Sequence, residues 1–90
     1  MKPVTLITGA SQGIGAATAR LLARQGHALL IHYAHQADAA QAVADKCLQL
    51  GAPLAIIAQA DVADEAQVLN LFAIADKSLP PLTGLVNNAG

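Results

Sequence analysis

Two short stretches of this sequence combine residue types at spacings that chemistry uses. The first reads Thr8, Gly9, Ala10, Ser11, Gln12, Gly13, Ile14, Gly15 and follows directly on an apolar, β-branched run over residues 4–7. Its glycines free the backbone to turn sharply and to approach a ligand with no side chain in the way. An alanine-rich stretch comes next, and a helix there would aim its first amides and the positive end of its dipole at the turn, which suits a pyrophosphate. Close glycines can equally make only a tight turn. The strand before and the helix after favour the anion cradle, with a dinucleotide as the expected ligand. Gly9 is then expected to make the turn, Gly13 to open the helix beside the phosphates and Gly15 to let the helix pack closely, with Ser11 and Gln12 lining the outside.

The second stretch reads Leu85, Val86, Asn87, Asn88, Ala89, Gly90, an apolar strand giving way to two amides and then to small residues. Such a pair can be an ordinary turn. In an open α/β sheet, however, ligands lie across the C-terminal ends of the strands, and this stretch would end a strand next to the first one. A metal site from His32 and His35 has no third ligand in view.

The elements that must position these residues follow from hydrophobic periodicity, in which apolar runs alternate with helical spacing. Strands are predicted over residues 4–8, 28–33, 54–60 and 83–87. A first helix over residues 14–25 places Ile14, Thr18, Leu21 and Leu22 on one face and stops at Gly26. Asp38 is the candidate N-cap of a second helix, which aligns Ala40, Val43, Cys47 and Leu50 and ends at Gly51 and Pro53. Asp61 and Asp64 frame the turn into a third, whose expected buried face is Val68, Phe72, Ala75 and Leu79. Right-handed crossovers then give an α/β fold, a Rossmann-type parallel sheet of strand order 3-2-1-4 with helices on both faces. No internal repeat, low-complexity segment or linker interrupts it.

Composition narrows the function classes. The chain has 90 residues, 54% hydrophobic and 12% charged, whereas an average globular protein is about 25% charged. So apolar a chain has few groups to spare for a solvated surface, and the expectation is part of a larger body or an oligomer. Five Lys and Arg against six Asp and Glu give a net charge of −1 with no basic cluster, which argues against nucleic acid. The single Cys47 excludes an internal disulfide and fits a reducing, cytoplasmic setting. The N-terminus enters a short strand directly, with neither a signal-peptide apolar core nor a membrane span.

Taken together, the motifs resemble those of the short-chain dehydrogenases/reductases. Thr8 to Gly15 matches that family's TGxxxGIG pattern at every fixed position, Asn87 to Gly90 matches its NNAG pattern, and Asp61 with Val62 matches a family position near the adenine ring. The spacing of the glycine turn separates the chain from the family's extended branch. The resemblance covers essentially the whole sequence. It implies a nicotinamide cofactor, with Gly9, Ser11, Gln12, Gly13 and Ile14 around the phosphates and ribose, Asp61 and Val62 at the adenine, and Asn88, Ala89 and Gly90 bordering the ribose. Asn87 is read as structural, its amide tying the fourth strand to its neighbours.

Cofactor choice turns on the end of the second strand, where an acidic side chain binds both adenosine ribose hydroxyls and repels a 2′-phosphate. Here Tyr33 stands where the family's NAD-dependent members usually carry aspartate, so NADP is favoured over NAD. The basic residue that typically grips the 2′-phosphate is missing as well, with Gln12 and Ala34 in its place. His35 can substitute as a donor or stand as an ordinary loop histidine. Thr83 also departs from the family, which often has aspartate before the NNAG strand, and is expected to affect local sheet contacts.

Family members move a hydride between nicotinamide and a carbonyl or alcohol, with a serine, a tyrosine, and a lysine one helical turn beyond the tyrosine. Tyr33 is the only tyrosine and Ala37 stands where that lysine would be. No catalytic residue is therefore assigned within these residues, since the family places its own beyond NNAG. The expectation is the N-terminal, cofactor-binding part of a single Rossmann domain, from a homo-oligomeric oxidoreductase for which the resemblance offers a 3-oxoacyl reductase-like activity as one reading. The alternative is a non-catalytic dinucleotide sensor that signals through a partner.

Overall fold

Strands rich in Val, Leu and Ile need cover on both faces, which is the condition of a parallel sheet flanked by helices. The computed structural model describes residues 3–88. It runs β1 (Val4–Ile7), α1 (Gly13–Arg24), β2 (Ala28–Tyr33), α2 (Ala37–Leu50), β3 (Ala55–Gln59), α3 (Glu65–Ser78) and β4 (Gly84–Val86). All pairings are parallel and the order is β3-β2-β1-β4, as the crossover argument requires. In register, Ile7 lies between Ile31 of β2 and Val86 of β4. The chain segments leaving β1, β2, β3 and β4 therefore emerge at one end of the sheet.

Side chains alternate between two cores. Ile7, Leu29 and Ile31 pack under α1 and α2 on one face. Val4, Leu6, Leu30 and Ala58 pack under α3 on the other. Leu6, Ile7, Leu29, Leu30 and Ile31 are fully buried, each worth roughly 1.5–3 kcal/mol in apolar transfer.

The buried face of α1 differs from the periodicity reading. Ile14 and Leu21 are 77% and 53% exposed, while Gly15, Ala16, Ala19 and Ala23 face the sheet and α2. Only Leu22, of the large aliphatics in that helix, packs against the core. Small side chains win this face because they let the helix lie close to the sheet, as its start must to serve the turn before it. In α3 the buried face is centred on Leu71 and Ala75, leaving Phe72 37% exposed.

Helix ends show which local signals act. α1 stops in a Schellman arrangement: Gly26, at φ +86°, donates to the Ala23 carbonyl at 3.0 Å and His27 to the Leu22 carbonyl at 3.1 Å. Asp38 does not cap α2. That position is Gln36, and Asp38 sits inside the first turn, where its charge favours the helix dipole.

Asp64 caps α3, its Oδ1 accepting from the Ala66 amide at 2.9 Å and from the Gln67 amide at 3.4 Å. Asp64→Ala is expected to lower the unfolding free energy by about 1 kcal/mol, read by chemical denaturation. An unchanged midpoint would show that the cap contributes nothing.

Thr83 ties the entrance of β4 to β1, its hydroxyl accepting from the Val4 amide at 2.9 Å with the Val4 carbonyl 3.3 Å away. It lies at the opposite end of the sheet from the glycine turn and shapes sheet contacts there. Cys47 is buried under α2, where burial pushes its thiol up and Arg20 pulls it partly back, as for an inert structural cysteine.

Candidate dinucleotide site

At the C-terminal end of the sheet the chain leaves β1 through Thr8 and Gly9 and enters α1 at Gly13. Gly9 and Gly13 both have φ +63°, the left-handed region in which a Cβ is penalised. The helix opens with Gln12 at the N-cap position, but the Gln12 side chain makes no capping bond and no acidic residue lies in the first turn. The helix start thus keeps amide donors and a positive dipole end with no side chain neutralising them.

Gly15 has a different reason to be glycine. A Cβ there would run into the Gly9 carbonyl oxygen and come within 2.7 Å of Asn88 Nδ2. The close approach that the motif demands is of the helix to the turn and to the end of β4.

A cleft of about 280 Å³ opens beside the turn, lined by Gly9, Ser11, Gln12, His32, Ala34, His35, Gln36, Asp61 and Val62. It brings together six of the residues singled out in the sequence: Gly9, Ser11, Gln12, His35, Asp61 and Val62. Gly13 and Ile14 stand exposed at the start of α1. Tyr33 is placed at the end of β2, yet it is half-buried against the core under α1 and α2 and does not line the cleft. Ala89 and Gly90 lie outside the described residues.

The far wall is fixed by hydrogen bonds around the start of α3. Asp61 Oδ1 accepts from the Ala63 amide at 2.9 Å, closing a turn of its own. The Asp61 amide donates to Gln67 Oε1 at 2.7 Å, and Gln67 Nε2 donates to Asp64 Oδ2 at 3.2 Å. A second cavity of about 330 Å³, lined by Val4, Ala28, Pro53, Leu54, Pro80, Pro81 and Thr83, lies at the opposite end of the strands. Its one side-chain polar group, the Thr83 hydroxyl, is engaged with the Val4 backbone.

The asparagines fasten β4 to the turn. Thr8 Oγ1 donates to Asn87 Oδ1 at 3.3 Å, with the Val86 carbonyl at 3.4 Å, and accepts from the Asn88 amide at 2.9 Å. Asn88 Nδ2 donates to the Gly9 carbonyl at 3.1 Å. Asn87 thus makes the structural tie expected of it, and Asn88 holds the turn from the other side.

Sequence reasoning missed His32 as a member of the site. Only 1% exposed, it accepts the Gly9 amide at Nδ1, 2.9 Å away, and its Nε2 lies 2.8 Å from the Ala60 carbonyl. With Nδ1 accepting, the proton belongs on Nε2, which donates to Ala60. The His32 carbonyl also takes the Ala10 amide at 2.9 Å. The signal was a polar residue inside the run Leu29, Leu30, Ile31, since a histidine buried there must find partners for both ring nitrogens. Every buried side-chain polar atom among the described residues has one. Among those residues no group of three His, Cys, Asp or Glu is placed to hold a metal, and no helix is long and apolar enough to cross a membrane.

Comparison with known proteins gives the same picture as the geometry. The short chain dehydrogenase family model matches residues 3–90. An uncharacterized oxidoreductase of Escherichia coli K12, YgfF, is 45% identical over 87 residues, covering 97% of this chain. A solved short-chain dehydrogenase/reductase from Burkholderia xenovorans superposes with a TM-score of 0.93 at 34% identity over 99% of the chain. The angucycline C-6 ketoreductase LanV, solved with bound NADP, superposes with a TM-score of 0.85 at 36% identity over 98% of the chain. The chain spans 35% of the length of YgfF and 36% of each of these two structures. With its glycine turn, its NNAG stretch and its sheet order all in place, this chain belongs to the short-chain dehydrogenase/reductase family.

Proposed function

We propose that these residues bind NADP for a full-length oxidoreductase that transfers a hydride between the nicotinamide and a carbonyl or alcohol. The observation that carries this reading is the α1 N-terminus, uncapped by any side chain and opening at a glycine turn into a cleft whose far wall is Asp61 and Val62. The pyrophosphate then lies on the amides around Gly13 and Ile14, and the adenine lies toward Asp61 and Val62. Ser11, Gln12 and His35 border the adenosine ribose, while Asn88, Ala89 and Gly90 border the ribose on the nicotinamide side.

NADP over NAD is supported by Tyr33 in the place of an acid and by His35 as a donor on the cleft wall. LanV, a family member similar over nearly this whole chain, was solved with NADP. These residues bind and orient the cofactor as the N-terminal part of one dinucleotide-binding domain, and the groups that handle the substrate proton belong to the rest of the enzyme. The exposed Leu69 and Leu85 support cover by further chain or by second copies in a homo-oligomer.

The test is fluorescence titration of the full-length protein with NADPH and with NADH. Tighter binding of NADPH, by about tenfold or more, is expected. Equal affinities or a preference for NADH overturn the choice of NADP, and binding of neither overturns the reading as a whole.

A further inference from the structure

We propose that His32 is a positioning residue which holds the glycine turn and the end of β3 in the relative placement that the dinucleotide needs. This rests on the cofactor reading above. Both ring nitrogens are taken by backbone groups. It joins the backbones of the two walls between which a dinucleotide lies.

On one side Nδ1 accepts the Gly9 amide, and on the other Nε2 donates to the carbonyl of Ala60, the residue before Asp61. The His32 backbone carbonyl in turn holds the Ala10 amide. Gly9 is therefore fixed at both of its polar backbone groups by side chains from other elements: its amide by His32 and its carbonyl by Asn88. A glycine in the left-handed region is the freest point of the turn, so these two anchors decide where the following amides point.

Three variants separate positioning from mere packing. Asn places an oxygen where Nδ1 stands, so His32→Asn keeps the acceptor for Gly9. Gln places its amide nitrogen near Nε2, so His32→Gln keeps only the bond to Ala60. His32→Leu keeps neither.

The experiment is NADPH titration of the full-length native protein and the variants at one pH, with circular dichroism confirming the fold. His32→Asn should bind within about threefold of native, and His32→Gln and His32→Leu should bind about tenfold or more weakly.

Folded Gln and Leu variants that bind like native, or a folded Asn variant that binds as weakly as they do, overturn the positioning role while leaving the cofactor reading intact. If Leu and Gln unfold, a folded Asn variant about tenfold weaker than native overturns it and one within about threefold upholds it. A native protein that binds neither NADPH nor NADH overturns both.

Discussion

Replacing Gly15 by alanine is expected to cost the full-length protein at least a hundredfold in NADPH affinity and about 3 kcal/mol in stability. The added methyl would occupy the space of the Gly9 carbonyl oxygen and press on Asn88 Nδ2 and the Ala10 Cα, 2.7 and 3.0 Å away. Two of these neighbours are backbone, so nothing flexible can yield, and relief requires α1 to move away from the turn. A displacement on the order of 1 Å is enough to misplace donors by the amount that costs about two orders of magnitude.

Gly13→Ala is the matched control. Its Cβ meets nothing within 4 Å, so the penalty is left-handed strain alone, roughly 1–2 kcal/mol, with the helix still in place. Isothermal titration and thermal unfolding of the two variants check the contrast. Equal losses of affinity would mean that close approach is not what Gly15 provides.

Tyr33→Asp is expected to reverse cofactor preference, lowering the NADPH to NADH affinity ratio by about two orders of magnitude. A carboxylate at the end of β2 accepts bonds from the adenosine ribose hydroxyls and stands against a 2′-phosphate; like charges about 4 Å apart interact by about 4 kcal/mol at an effective dielectric near 20. Tyr33 is half-buried against the core under α1 and α2, so losing its ring also costs roughly 1–2 kcal/mol of stability. Parallel titrations with the two cofactors give the ratio. If it moves by less than about threefold, the end of β2 does not face the 2′ position.

Strand order was legible because it follows from a few coarse quantities: the alternation of period, the right-handedness of crossovers and the need of apolar strands for cover. The glycine turn was legible because a left-handed backbone leaves its mark on residue type. What did not show was which side of each helix faces inward. In α1 the large aliphatics lost the core to Ala16, Ala19 and Ala23, since closeness to sheet and neighbour outweighed the area that Ile14 and Leu21 could bury.

His32 escaped for a related reason. Its meaning lies in partners 23 and 28 residues away along the chain, and local spacing carries no mark of either. The tie from Gln67 to Asp61 escaped likewise: Asp64 followed three residues later by Gln67 is the outline of a capping box, but the Gln67 oxygen takes the amide of Asp61.

The bond from Asn88 to Gly9 spans 79 residues. It makes the order of folding events differ from the order of synthesis. The residues of the glycine turn are made before those of β4, and β1 can pair with β2 once α1 has formed between them. The carbonyl of Gly9, however, waits for β4 to dock on the other flank of β1, after the longest loop closure within these residues. The part of this domain that is easiest to recognise by eye is thus among the last to acquire its shape. An anion offered to a nascent chain before that moment would meet a flexible glycine loop in place of a site.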